Sequence, residues 1–260
     1  MVRRCAQSSR SFGKIEVNKL KGIATMELLK RVAAALPARW QNELKRIHFL
    51  RQIRRDTFVT SEPEYAILPS LISVGDWVID VGANIGHYTK RFSELVGSTG
   101  RVIAFEPIPE TFALLAANLQ VLSKANITLI NAAASDKTGI VGMSIPAFDT
   151  GLRNFYQAHL SNSLDSDLHV LTLSMENLNI QNRIALIKID AEGHEASVLR
   201  GMRELLIRDK PTLIVETDSR EVEDSIEILG YTHQRLDGSP NILFLAKGNT
   251  EVVPRNGTAA

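Results

Sequence analysis

The chain has 260 residues, 44% of them hydrophobic and 23% charged, with a net charge of +1. That length suits one α/β domain with an appendage, and the balance is that of an ordinary globular protein, not of a disordered or membrane-spanning one. Cys5 is the sole cysteine, which excludes an intrachain disulfide and a multi-cysteine metal site and makes a reducing, cytoplasmic compartment the expectation.

The net charge hides an asymmetry. Residues 1–60 hold 14 Lys/Arg against 4 Asp/Glu, and residues 61–260 hold 16 against 25. The first residues are basic and contain serines but lack an apolar core, so they do not read as a secretory signal. No apolar run approaches the roughly 20 residues needed to span a bilayer. The expected division is a basic, partly helical arm at 1–60, a domain at 61–248 and a disordered tail at 249–260. The arm is expected to contact a membrane, a polyanion or the domain itself.

Residues 24–35 read as a short helix stopped by Pro37, and 38–55 as a second one. In the second, Trp40, Leu44, Ile47 and Leu50 share one face by their spacing. That face is expected to pack on the domain or on a second subunit; the alternative is a helix lying on a membrane surface or polyanion.

From residue 76 the pattern changes. Apolar runs at 77–82, 101–106, 127–133, 185–190 and 212–217 are mostly near-continuous in Val, Ile and Leu, as in parallel strands buried on both faces. Helical stretches at 88–96, 109–123, 194–207 and 219–229 follow them. This rhythm predicts a doubly wound, mainly parallel sheet. The end differs: strands at 231–236 and 241–247 flank Asp237-Gly238-Ser239-Pro240, an antiparallel hairpin. The result is an α/β fold with a seven-stranded sheet ending in a hairpin, as in class I methyltransferases that use S-adenosylmethionine (SAM). The stretch 134–184 fits the rhythm poorly. Much of 146–165 is expected to face a substrate, with an extra strand at 170–173.

Two segments carry chemistry. The first, DVGANIG, runs from Asp80 to Gly86 after a strand and before a helix, the context of a nucleotide-binding turn. Glu106 ends the next strand, where a carboxylate can accept hydrogen bonds from ribose hydroxyls. A dinucleotide site needs three glycines to cradle a pyrophosphate, whereas here the second and third positions are Asn84 and His87. SAM has no pyrophosphate and carries cationic groups suited to Asp80. The turn therefore favours SAM over NAD. Asp136, after the third run, reads as an adenine contact or as a solvated turn residue. The second segment, KIDAEGHE, places Asp190, Glu192, His194 and Glu195 at the carboxyl end of the fourth strand, the binding edge of an open α/β sheet. His194 suits proton abstraction or, alternatively, caps the helix. Glu195 reads as a first-turn helix residue and Lys188 as a buried, paired lysine. Asp190, Glu192, His194 and Glu216 include divalent-metal ligand types, but no spacing is diagnostic and no metal site is assigned.

DVGANIGHYT, the FEP at Phe105–Pro107, KIDAEGHEASVLRGM and KPTLIVET together resemble the FkbM-like methyltransferases, over roughly residues 60–247. The resemblance implies a SAM-binding fold and O-methylation of hydroxyls on sugars, glycans or secondary metabolites. It implies a cofactor site lined by Asp80, Gly82, Asn84, Gly86 and Glu106, with Asp190, Glu192 and His194 near the transferred methyl. One departure is Ser174 after Thr172-Leu173, where the family often has Asp; Ser174 can still cap the next short helix. The alternatives are an NAD-linked oxidoreductase and a non-catalytic SAM-binding protein. Nucleic acid is not expected as a partner, because no base-stacking aromatic pattern is present; a homo-oligomer stays open.

Overall fold

The computed structural model describes residues 37–122, 125–146, 158–161 and 166–248. The expected helix at 24–35, most of the segment 146–165 and the tail at 249–260 lie outside the described residues.

In chain order the elements are α1 (Ala38–Arg54), α2 (Pro63–Leu71), β1 (Trp77–Val81), α3 (His87–Val96), β2 (Arg101–Phe105), α4 (Pro109–Leu119), β3 (Ile127–Ile130), β4 (Ala133–Ala134), β5 (Gly139–Ser144), β6 (His159–Ser161) and β7 (Leu168–Leu173). A 3-10 turn (Met175–Leu178) then leads to β8 (Ile184–Ile189), α5 (Glu195–Arg200), α6 (Arg203–Asp209), β9 (Thr212–Glu216), α7 (Arg220–Ile228), β10 (Tyr231–Arg235) and β11 (Asn241–Ala246). Pro63 and Pro109 sit in first helical turns, where a missing N–H goes unnoticed.

The main sheet has seven strands in the order β10-β11-β9-β8-β1-β2-β3. Six strands point the same way, and β11 runs opposite, antiparallel to both of its neighbours. The expected hairpin is therefore present, with its second strand inserted next to β9. Strand alternation splits the core into two layers. Val78, Leu186, Ile214 and Leu243 pack against Leu68 and Phe92 of α2 and α3. Ile79, Ile187, Leu213 and Phe244 pack against Leu199, Leu206 and Ile226 of α5, α6 and α7. The chain goes right and left from β1, so a crevice opens at its carboxyl end. Among the described residues no helix is long and apolar enough to cross a membrane.

The structure revises four expectations. The run 127–133 divides between β3 in the main sheet and β4 in a second, four-stranded sheet ordered β4-β7-β5-β6. That sheet was legible only at 170–173. The helix at 194–207 divides into α5 and α6 at Gly201, where the Ser135 carbonyl oxygen comes so close that a Cβ would stand 1.9 Å from it. Ser174 does not cap with its side chain; its hydroxyl donates to the Gly201 carbonyl at 3.1 Å, tying the same crossing point. On α1, Trp40, Leu44 and Ile47 are exposed, and it is Phe49 and Ile53 that pack inward on Phe58, Ile85 and Leu114.

Asn126 staples α3 to the start of β3. Its amide donates to the Ser93 and Gly97 carbonyls at 2.9 and 2.7 Å and accepts from the Ser93 hydroxyl at 2.8 Å, in a fully covered position. Asn126→Ala is expected to reduce stability by about 1–3 kcal/mol, since it strands buried polar groups. Urea unfolding would show a lower midpoint with an unchanged slope.

Candidate active site

The turn after β1 takes the left-handed backbone conformation at every second residue: Gly82, Asn84 and Gly86 have φ of 76°, 50° and 99°. Glycine takes this conformation freely and asparagine tolerates it. Close contacts also exclude larger residues. A Cβ on Gly82 would meet the Asp190 carbonyl oxygen at 1.9 Å, and one on Gly86 would meet Leu115 Cδ1 at 2.8 Å. The turn is laced to the neighbouring strand by Gly82 and Ala83 N–H groups, which both donate to the Phe105 carbonyl at 3.0 and 2.9 Å.

Glu106 stands just beyond β2, only 4% exposed. One carboxylate oxygen accepts from Asn84 N–H and the other from Ile108 N–H, each at 2.9 Å. Burial pushes its pKa up to about 7, against the lowering effect of those two bonds. Each oxygen keeps a further lone pair for a ligand. Asp80 lies under the turn, 1% exposed. Thr89 Oγ1 donates to its Oδ2 at 2.6 Å, while Oδ1 is buried without a hydrogen-bond partner among the described residues. Burial raises Asp80 to about 6, moderated by Lys188 and the Thr89 bond.

A pocket opens at this edge. Gly82, Asn84, Glu106, Asp190, Glu192 and His194 line it, with Ile108, Met143 and Leu160 as an apolar wall. A second, open cavity is lined by Asp190, Glu192, Gly193, Glu195, Glu216, Thr217, Asp218 and Ser219. Asp190 and Glu192 belong to both cavities.

The turn after β8 is also strained into place. Glu192 has φ of 48° and Gly193 of 88°; the left-handed glutamate costs about 1–3 kcal/mol, of the kind found at functional sites. Glu195 is buried and accepts from Gly193 N–H at 2.9 Å, closing the turn. Burial, then Asp190 and Glu195, raise the Glu192 carboxyl above its ordinary range. Burial lowers the His194 imidazole, whose Nε2 lies 2.9 Å from Ser135 Oγ. Lys188 is buried with its Nζ 3.0 Å from Asp190 Oδ2 and 4.8 Å from the Tyr88 ring centre. Burial opposes its charge, but Asp190 and Asp80 outweigh this and hold its pKa above the ordinary lysine value. Burial, then Asp190, pushes Glu216 up to about 7.

Six of the nine site residues expected from sequence thus line the first cavity. Asp80 and Gly86 support it from below. Asp136 does not line it: its carboxylate receives the Arg200 guanidinium at 3.1 Å and lies beside Ser135 Oγ at 3.3 Å. Met143 and Leu160 were missed because they come from the second sheet. Lys188 and Asp80 face each other in the β1–β8 register, a pairing that strand alternation could have found once the strands were aligned. Among the described residues no group of three or more His, Cys, Asp or Glu side chains is placed to hold a metal ion.

Residues 80–236, more than half of the chain, match the methyltransferase FkbM domain. The chain belongs to the FkbM methyltransferase family. The oxidoreductase alternative falls with that assignment. Methyltransferase 1 of Beauveria bassiana (strain ARSEF 2860) is 22% identical over 169 residues, covering 58% of this chain and 66% of that protein. The crystal structure of an FkbM methyltransferase from Methylobacillus flagellatus KT matches with a TM-score of 0.50 and 20% identity, covering 65% of this chain and 43% of that one. The chain therefore spans less than two thirds of the length of either relative. Aeropyrum pernix fibrillarin, solved with SAM, matches with a TM-score of 0.45 and 14% identity, over 70% of this chain and 73% of that one. The fold is that of the class I SAM-dependent methyltransferases.

SAM is the cofactor that membership of this family implies, and the residues present fit it. Glu106 offers a buried carboxylate with free acceptor capacity for a diol. Asp80 Oδ1, which has no hydrogen-bond partner among the described residues, leaves an acceptor beneath the turn for a cationic ligand. The apolar wall of Ile108, Met143 and Leu160 suits a flat heterocycle.

Burial raises the folded-state pKa of Glu106 from 4.5 to about 7. The folded protein therefore holds this proton more tightly than the unfolded chain, and the group's contribution to stability falls as pH rises through that window. Glu106→Gln removes the effect. The stability of the ligand-free wild type relative to this variant is expected to drop by about 3 kcal/mol between pH 4.5 and 7. Denaturant titrations of both proteins at each pH measure it; a constant difference would refute the assignment.

Proposed function

We propose that this methyltransferase acts on a hydroxyl oxygen of a sugar, glycan or other polyhydroxylated metabolite held in the second cavity. The observation that carries the reading is the wall shared by the two cavities at Asp190 and Glu192. Methyl transfer requires the acceptor beside the cofactor, and the second cavity adjoins the first at that point. Its lining has no apolar side chain: five carboxylates, Thr217 and Ser219 face it. Carboxylates accept hydrogen bonds, so they favour an acceptor rich in hydroxyl donors.

Bound SAM supplies a methyl group that is already electrophilic. The protein's own residues must orient the acceptor and take its proton. In this reading the acceptor's hydroxyl reaches past Asp190 and Glu192 into the first cavity, where His194 is the base: its lowered pKa leaves the imidazole neutral near pH 7, and its bond with Ser135 Oγ fixes the ring. Asp190 is held by the Lys188 ammonium at 3.0 Å and grips the acceptor hydroxyl.

The test is transfer of labelled methyl from SAM to a panel of hydroxylated acceptors, with the product's linkage identified. A label held as an alkali-stable ether supports the reading. SAM binding without transfer to any hydroxyl, or transfer to nitrogen, would overturn it. His194→Ala is expected to lower kcat by about 10²–10⁴-fold. The wild-type profile should lose activity below a pKa that lies under 6.5, because the base must be neutral, and the variant should lack that limb. Full turnover by both His194→Ala and Asp190→Ala would remove these residues from the mechanism.

A further inference from the structure

Among the described residues, the outer face of α1 carries no load in the fold or in the cavities. Phe49 and Ile53 turn inward, while Trp40, Leu44 and Ile47 turn outward and are 54%, 49% and 37% exposed. Arg51 and Arg54 extend that outward row at the same three- and four-residue spacing, and Arg55 ends the helix. All three are exposed, and none pairs with a carboxylate among the described residues. The helix's one acidic side chain, Glu43, is occupied by Arg46 at 2.6 Å. Arg39 lies 5.9 Å from the Trp40 ring centre. The segment that precedes α1 adds eight Lys/Arg against two Asp/Glu over residues 1–36, whereas residues 61–260 hold 16 basic and 25 acidic residues. An anionic surface would therefore attract this end of the chain and repel the rest.

We propose that the outer face of α1 docks on an anionic lipid bilayer. Trp40, Leu44 and Ile47 enter the boundary between headgroups and acyl chains, and Arg51, Arg54 and Arg55 meet lipid phosphates. The row is apolar in its first half and cationic in its second. A two-fold pair of copies with antiparallel helices would lay the apolar half of one row on the arginines of the other, a poor match. A nucleic acid would satisfy the arginines but leave Leu44 and Ile47 without a partner. A membrane interface takes both halves: tryptophan and aliphatic groups sit at headgroup level, and arginines reach outward to phosphate. Three apolar side chains alone bind reversibly and weakly, so the contact depends on the charges as well. The helix is also joined, through its inward face, to the cofactor turn. Phe49 stacks edge-on with Phe58 at 5.9 Å, and Phe58 lies 4.1 Å from the ring of His87, the residue after Gly86.

The test uses the full chain with unilamellar vesicles of phosphatidylcholine, alone or with about one third phosphatidylserine. The sequence has two tryptophans, so Trp77→Phe leaves Trp40 as the sole indole reporter. Binding to the anionic vesicles only, weakened by salt and with a blue shift of Trp40 emission, is the expected result. Leu44→Glu should weaken binding and abolish the shift. Arg51→Glu, Arg54→Glu and Arg55→Glu together should lower partitioning by about a hundredfold, at about fivefold per cationic residue. These side chains are exposed, so unchanged circular dichroism and thermal midpoints are expected and confirm folding. The proposal fails if the full chain does not bind anionic vesicles. It fails equally if binding ignores the α1 substitutions and so belongs to the preceding arm alone. A dimer that Leu44→Glu splits, or binding to nucleic acid without binding to vesicles, would assign the face to another occupant. None of these readouts depends on the acceptor, so the proposal stands or falls apart from the O-methylation reading.

Discussion

A single backbone contact organises this methyltransferase: the Asp190 carbonyl oxygen lies where a Cβ on residue 82 would stand, 1.9 Å away. Glycine alone leaves that space open. Around the contact the strand tips are laced beyond the ends of the sheet. Asp190 N–H donates to the Val81 carbonyl at 3.1 Å, Gly82 and Ala83 N–H to Phe105, and Glu106 N–H to Ile130 at 3.1 Å. The cofactor turn and the turn that carries Asp190, Glu192 and His194 therefore share one rigid base. Methyl transfer gains from such rigidity because it tolerates little misalignment between donor and acceptor. The left-handed residues in both turns are the conformational consequence of bringing two loops so close.

The second constraint is charge buried under that base. Asp80 and Lys188 are register partners on β1 and β8 and point into the layer below α3. Thr89 and Tyr88, from the first turns of α3, meet them there. Removing one member of a buried ionic set strands the other, typically at about 3–5 kcal/mol, which keeps such a set together whatever its catalytic use. The set extends outward: Tyr88 donates its hydroxyl toward Glu62 and Glu64, and Glu64 also accepts from Ser239 at 2.6 Å and from the Asn241 amide. Helix α2 and the hairpin loop are thus tied to the same polar layer as the site.

Elements outside the parallel sheet complete the cavities. The four-stranded sheet has its own small core of Ile108, Met143, Ile145, Ala158 and Val170, and it presents Met143 and Leu160 to the cofactor cavity. Helix α1 closes the far side of the cofactor turn through Phe49, Phe58 and His87, which leaves its opposite face to solvent. The ordinary α/β core positions the reacting edge, and these additions give it walls.

The sequence alone determined the alternation of strands and helices, the terminal hairpin, the cofactor turn and the cluster after the fourth strand. These are local signals: runs of Val and Ile, glycines at fixed spacing, and ionisable residues at a strand tip. It did not determine the second sheet, because β4 has two residues, β6 has three, and their pairing is set only across intervening chain. The break at Gly201 was illegible for the same reason, since the obstructing carbonyl belongs to Ser135, far away in sequence. Asp136 shows the limit at the site: its position after β3 suggested a cofactor contact, but Arg200, from another helix, takes its carboxylate. Helix α1 shows it on the surface, where both apolar faces satisfy the helical period and only packing against Phe58 and Leu114 decides which one is buried. Periodicity is a property of the chain, whereas the choice between equivalent faces and partners is made by whatever the fold brings alongside.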